Sequence, residues 1–300
     1  MLELLSMMRI NNCAMAIVGV FAGSLVALGG VTGVFSTQLL LAIAAAFLIT
    51  GAGNVINDYA DVEADKINRP KRPIPSGAVS KNSALTFSLI LFVIGILCAG
   101  LINGLCLVLA IVNSLLLIAY SFVLQHKILI GNAAVGYMVG SLFLFGGAVF
   151  LNQRIWTVLV LMLLATLANI AREMIKDLED LEGDKKSFLK KIASKTVTLI
   201  AERFGVTRSG VELKYKERTM IVLAILCLVF AVGLSALPYY YGFLKTGYLA
   251  IVVIADCVFI SCIYSLLREE KKHKGFGRIS KRLKIGMLVA LVAFIAGTFI

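Results

Sequence analysis

LLLAIAAAFLITGAGNVINDYADVEADKINRPKRPIPSG fills residues 39–77 and changes character once, at Asp58. Before that residue the stretch is apolar or neutral; after it, acids, bases and prolines crowd together. About 20 residues of helix, rising 1.5 Å each, cross the roughly 30 Å of hydrocarbon in a bilayer. The stretch therefore reads as a membrane-crossing helix that reaches water at Asp58.

The same alternation recurs along the chain. Apolar runs place helices near 10–34, 38–57, 84–102, 104–124, 131–151, 154–174, 217–237, 246–266 and 284–300, which makes nine crossings. Composition agrees: of 300 residues, 60% are apolar and 15% charged, against about 25% charged in an average soluble domain. The expected fold is an all-α membrane protein, a bundle of nine transmembrane helices forming a single membrane domain over residues 1–300. The first apolar run is too long for a signal-peptide core and is followed at once by another span, so it reads as a retained helix.

Charge sets the expected orientation. Of the 29 Lys and Arg residues, 27 fall at the N-terminus or in the segments 58–83, 125–130, 175–216 and 267–283 with their helix edges, leaving only Arg154 and Lys245 for the other side. By the positive-inside rule the N-terminus and those segments are cytoplasmic, and the chain is a multi-pass protein of the cell membrane. The formal charge of +12 does not point to nucleic acid, because the bases sit in loops between apolar spans rather than along an aromatic-studded face. Membrane lipids and an anionic substrate are the expected partners. All six cysteines lie in apolar stretches without CxxC or Cys/His spacing, so neither a disulfide framework nor a zinc site is indicated.

Every Asp and Glu except Asp256 also falls on the cytoplasmic side, and topology alone does not require them there. Residues 168–186, ANIAREMIKDLEDLEGDKK, repeat the arrangement of the first acidic stretch. Asp58, Asp61 and Asp65 are spaced i, i+3, i+7, as are Asp177, Asp180 and Asp184, and a lysine follows each set (Lys66, Lys185). That spacing puts three carboxylates on one face of a helix, with Asn54 or Glu173 one turn before. One such cluster is readily a solvated helix end; two with the same spacing ask for a shared cause. Stacked like charges call for a cation, and hard oxygen ligands without His or Cys suit Mg²⁺ bound with substrate phosphates. Two such faces on one side of the membrane suit a diphosphate held between them, above an apolar cavity for its isoprenoid tail.

At these residues the chain resembles the UbiA superfamily of intramembrane prenyltransferases, whose members carry NDxxDxxxD after the second helix and a second Asp-rich motif after the sixth. Asn57, Asp58, Asp61 and Asp65 match the first, and Asp177, Asp180 and Asp184 the second. The resemblance implies a Mg²⁺-dependent transferase using an isoprenyl diphosphate donor. The six aspartates would be catalytic, and with Asn54 and Asn57 they would ligate metal. Arg9, Asn12, Arg72, Tyr120, Lys127, Arg172, Lys176 and Lys185 are the candidate substrate contacts, with Arg9, Arg72 and Lys127 nominated for an acceptor phosphate. Each basic residue has a plainer reading as a topology anchor or a snorkelling side chain. Arg69, Lys71 and Arg72 lie among Pro70, Pro73 and Pro75 in a segment that cannot be helical and reads as a cap over the site.

Within the superfamily, residues 68–77 and 172–186 look most like the archaeal members that add a second geranylgeranyl chain to a glycerol phosphate ether, a lipid acceptor. Members that prenylate aromatic quinone precursors share the Asp motifs and are the alternative. A cation-coupled transporter fits less well, because its carboxylates lie near the bilayer midplane rather than at helix ends. A CDP-alcohol phosphotransferase would carry DGxxAR, which is absent. Asp256, in the middle of the eighth span, is expected to be protonated or hydrogen-bonded within the bundle. His126 and His273, in basic loops, are expected to be solvated.

Overall fold

A computed structural model describes the backbone of residues 2–31, 33–151, 154–192, 207–269 and 275–299, and the side chains of these residues except 126, 128, 181–192 and 207–216. His273 and residues 193–206 of the basic segment 185–216 lie outside the described residues, as do the side chains of His126, Asp184 and Lys185.

Among the described residues every regular element is helical. They are α1 (Leu2–Met7), α2 (Ile10–Leu28), α3 (Thr37–Ala60), α4 (Val62–Asn68), α5 (Lys81–Gly100), α6 (Gly104–Phe122), α7 (Ile128–Ala148), α8 (Ile155–Ile192), α9 (Thr207–Ser235), α10 (Leu237–Tyr240), α11 (Thr246–Glu269) and α12 (Phe276–Phe299), with a single 3₁₀ turn at Leu124–His126. Nine of them, α2, α3, α5 to α9, α11 and α12, are long and apolar enough to cross a membrane.

Local chemistry fixes several starts. Ser36, Ser80 and Asn103 cap α3, α5 and α6 by accepting from the backbone N–H groups of Leu39, Ser83 and Cys106. The helix ends differ from the sequence expectation in several places, among them the start of α9 at Thr207 rather than near residue 217. The first crossing stops at Leu28, where Gly29 takes a left-handed φ of 70°. The sixth does not stop near residue 174: α8 runs on to Ile192, so the second acidic stretch is one unbroken helix. The last begins at Phe276, two turns before residue 284.

The helices form a ring in which sequence neighbours pack, and α12 closes it against α2 and α8. One buried apolar cluster joins α1 to α7, a second joins α8, α9, α11 and α12, and a third ties Val26 and Ala27 to Val158, Tyr248 and Phe294 at the end remote from the acids. α7 sits between α2 and α8 at very close range. A Cβ on Gly23 would lie 2.0 Å from the Phe143 carbonyl oxygen, and one on Gly146 would lie 1.9 Å from that of Val20. Gly136 and Gly140 bring the opposite face equally close to Thr166 and Ile170 of α8. Membrane helices associate through such small-residue contacts because lipid offers no hydrophobic drive between them. Large apolar side chains instead face outward, as Leu89, Ile90, Val93, Ile94 and Leu97 do on α5, which suits a lipid surround.

Candidate active site

The first acidic stretch lies at the junction of α3 and α4. Asp58 and Asp65 are both buried and share one partner: Arg72 Nη1 donates to Asp58 Oδ1 at 2.9 Å and to Asp65 Oδ2 at 2.5 Å. Arg9 adds a second cation, its Nη2 lying 2.5 Å from the same Asp58 oxygen. Arg9 is held in the left-handed region, φ 53°, between α1 and α2. That conformation costs on the order of 1 kcal/mol or more for a non-glycine residue.

Asp61 departs from the expected common face. It sits where α3 hands over to α4, with φ −85° and ψ 6°, and accepts from Gln125 Nε2 at 2.8 Å instead of joining Arg72. Gln125 also accepts from Asn57 Nδ2 at 3.1 Å, so Asn57 and Asp61 are tied to the turn after α6. Asn54 donates to the Met8 carbonyl at 2.8 Å and accepts from Asn12 at 3.3 Å. Lys66 turns away to Glu63, donating to both its oxygens; this holds the exposed Glu63 below the ordinary carboxylate range and marks the pair as surface.

On α8, Asp177 accepts from Asn132 Nδ2 of α7 at 2.8 Å. Glu173, one turn earlier, pairs with Arg172 and, at 3.8 Å, with Lys176. Asp180 is exposed. The two acidic stretches border one space: Asn12, bonded to Asn54, lines the same cavity as Arg172 and Glu173, and Tyr120 of α6 stands between the stretches. Lys127 stands exposed at the N-terminus of α7, just past Gln125.

Among the described residues no three His, Cys, Asp or Glu side chains converge as a ready-made metal cage. Asp58 and Asp65 nevertheless aim oxygens at a single cationic nitrogen of Arg72, and the neighbouring donors are all oxygens or amides. That set fits Mg²⁺, which takes few protein carboxylates and completes its shell with water and phosphate.

Below this polar end opens a cavity of about 940 Å³, walled mainly by Leu, Val, Met, Phe and Ala from every crossing helix except α5. Its size lies near the top of the range of about 300–1,000 Å³ usual for ligand cavities. Asn12, Arg172, Glu173 and Lys284 border it at the acidic end. Deeper in, Asn113 accepts from Ser141 at 2.7 Å, and Asp256 accepts from Ser235 at 2.7 Å, the hydrogen-bonded state expected for it.

A model described as the UbiA prenyltransferase family matches residues 16–288. The chain belongs to that family. As a UbiA-family member it is a prenyltransferase, an all-helical multi-pass membrane enzyme. It is 42% identical to the digeranylgeranylglyceryl phosphate synthase of Methanococcoides burtonii, covering 98% of each chain, and 41% identical to that of Methanosarcina mazei, covering 98% of this chain and 97% of the other. A solved structure concerned with digeranylgeranylglyceryl phosphate synthase in membranes superposes with a TM-score of 0.80 at 34% identity, covering 99% of this chain and 97% of that one. A UbiA homolog from Archaeoglobus fulgidus, solved with GPP and Mg²⁺, shares the fold at a TM-score of 0.62 and 13% identity.

The structure thus gathers Arg9, Asn12, Asn54, Asn57, Asp58, Asp61, Asp65, Arg72, Tyr120, Arg172, Lys176 and Asp177 at one end of the bundle. Sequence reasoning missed Gln125, Asn132 and Lys284. The first two are isolated amides whose partners are 64 and 45 residues away. The signal for Gln125 was its place beside Lys127 in a short polar turn.

Proposed function

We propose that this prenyltransferase moves a geranylgeranyl group from geranylgeranyl diphosphate to geranylgeranylglyceryl phosphate, using Mg²⁺ at an active site on the cytoplasmic side. The observation that carries this reading is the paired acidic stretches at the mouth of a large apolar cavity, in a chain that aligns end to end with relatives of that name. The whole chain, residues 1–300, acts as one membrane domain, its N-terminus and cap loops facing the cytoplasm.

Mg²⁺ would be held by Asp58 and Asp65, with Asp61, Asp177, Asp180, Asp184, Asn54 and Asn57 around it, and when bound would neutralise the diphosphate and act on it as a Lewis acid. Arg9 and Arg72, on Asp58 and Asp65, belong with the donor's diphosphate, adding charge-assisted hydrogen bonds to the leaving oxygens. Tyr120, Lys127 and Lys176 complete the donor's polar contacts, and Lys185, nominated from its place directly after Asp184 in the sequence, would join them. The residues 69–80, turned by three prolines and closed by the Val79 N–H donating to the Pro73 carbonyl at 3.0 Å, carry Arg72 over the site as a cap. The apolar wall excludes water, which would otherwise capture the allylic cation after the C–O bond breaks. The acceptor's free glycerol hydroxyl then forms the new ether bond and releases its proton. A strong base is not required, since the cation is the reactive partner.

The test is to incubate purified protein with labelled geranylgeranyl diphosphate, Mg²⁺ and a panel of acceptors. The expected product is the doubly alkylated glycerol phosphate. Efficient prenylation of 4-hydroxybenzoate, with no reaction of the glycerol phosphate ether, would overturn the acceptor and leave the family membership intact.

A further inference from the structure

Arg172 has one guanidinium N–H that finds no partner. Its Nη1 donates to Glu173, but Nε is buried without a hydrogen bond, on a side chain that borders the cavity. Leaving a buried charged donor unpaired is costly, so such a group marks a position where something else completes the bond. A second cation borders the same cavity: Lys284 of α12, which forms no ion pair among the described residues.

Helix geometry puts the two at one depth. α8 and α12 run antiparallel, with Val158 and Leu161 near Ala293 and Phe294 at one end, and Gly277 against the Glu179 carboxylate at the other. From that last contact Lys284 is seven residues along α12 and Arg172 seven residues back along α8. Seven residues are about two turns, a descent of about 10.5 Å that returns each side chain to nearly the same face. Both cations therefore flank the cavity from packed helices, and Asp177 lies five residues from Arg172, about 7.5 Å nearer the acidic end. Glu173, the acid that borders the cavity beside Arg172, is already engaged by Arg172 and Lys176. Arg9 and Arg72 are engaged by Asp58 and Asp65, which leaves the acceptor's anion to other cations.

We infer that Arg172 and Lys284 form the binding site for the phosphate monoester of the acceptor, whose lipid tail lies in the apolar cavity. The inference rests on the reading above that the acceptor is a glycerol phosphate ether, and it replaces Arg9, Arg72 and Lys127 as the groups that hold its phosphate. Recognition at this level sets the acceptor's hydroxyl between the phosphate and the donor end, and it makes Lys284 a specificity residue.

Lys284→Gln removes the charge from a solvent-accessible side chain and keeps its polarity. Losing one charge-assisted contact should raise the acceptor KM by about tenfold or more, with donor KM nearly unchanged. Lys284→Arg should restore most of the loss. A phosphate-free glycerol ether should bind wild type and Lys284→Gln alike, whereas the phosphate-bearing ether should bind the variant more weakly in a direct assay with purified protein and no donor. An unchanged affinity for the phosphate-bearing ether would overturn the proposal, as would a rise in donor KM in place of acceptor KM. If the wild type fails to prenylate the glycerol phosphate ether, the proposed function fails; the direct binding comparison still decides whether Lys284 reads a phosphate.

Discussion

At the scale of single residues, Asp58 and Asp65 are buried carboxylates that share one guanidinium. Buried carboxylates held only by arginines would be an expensive way to build a helix end, since hydrophobic replacements are often as stable as an ion pair. Their retention with a strained Arg9 fits a charged site kept for binding. Asp65→Asn or Asp61→Ala should therefore lower turnover by about 100-fold or more, the scale seen when a group that stabilises transition-state charge is lost. Chelation with EDTA should silence the wild type. Asp256→Asn should stay near wild-type turnover, because the amide oxygen can still accept from Ser235. Steady-state rates on detergent-purified variants of matched helical content check this; full activity of Asp65→Asn would remove the metal site from the first acidic stretch. The spacing of the aspartates was legible because sequence periodicity is helix geometry. The hand-over at Asp61 was not, since one residue's backbone angles turned it toward Gln125, a partner supplied by another element.

At the scale of elements, the nine crossings were readable from hydropathy alone, whereas their ends were not. The start of α12 shows what an end is worth. Read from hydropathy, the span begins at residue 284, which makes Lys284 the last charge of a loop; in the structure the helix starts at Phe276 and sets the exposed Lys284 at the edge of the cavity. Polar first turns hide in hydropathy because their apolar side chains, Phe276 and Ile279, are few though fully packed. Glycines were equally silent. Gly23 and Gly146 look like ordinary span residues, yet each meets a backbone oxygen of the facing helix, and Ser24 donates to the Gly146 carbonyl at 2.9 Å. Backbone has nowhere to go, so Gly146→Ala or Gly23→Ala should destabilise by about 1–3 kcal/mol, the usual cost of overpacking. A drop of several degrees in melting temperature is expected, read by thermal scanning in detergent. Gly233→Ala, on α9 with open space around it, should be neutral or slightly stabilising. Equal melting of all three variants would mean that α2 and α7 are not in that close register.

At the scale of the whole molecule, charge and fold point to the same asymmetry by independent routes. The acidic stretches, Arg9, Arg72 and Lys127 come together at one end of the bundle, the end where 27 of 29 bases were expected. The two remaining cations have structural work at the opposite end. Lys245 Nζ donates to the Phe299 carbonyl at 2.9 Å, at the C-terminus of α12, and the Arg154 guanidinium lies against Gly29 at the C-terminus of α2. Cations there are favoured by the helix dipole, so neither contradicts the orientation. On the proposed orientation, in which positive segments stay inside, the cap loop and with it the site would face the cytoplasm. A cysteine placed at position 70 should therefore react with a membrane-impermeant maleimide only after cells are opened, and one at position 245 should react in intact cells. The six native cysteines lie within crossing helices, three of them buried, and a version with all six replaced by Ala or Ser gives the background. Labelling of position 70 in intact cells would invert the topology. The proposed anionic donor would then have to be supplied from outside, since a charged headgroup does not readily cross hydrocarbon, so the orientation bears directly on how the proposed reaction is fed.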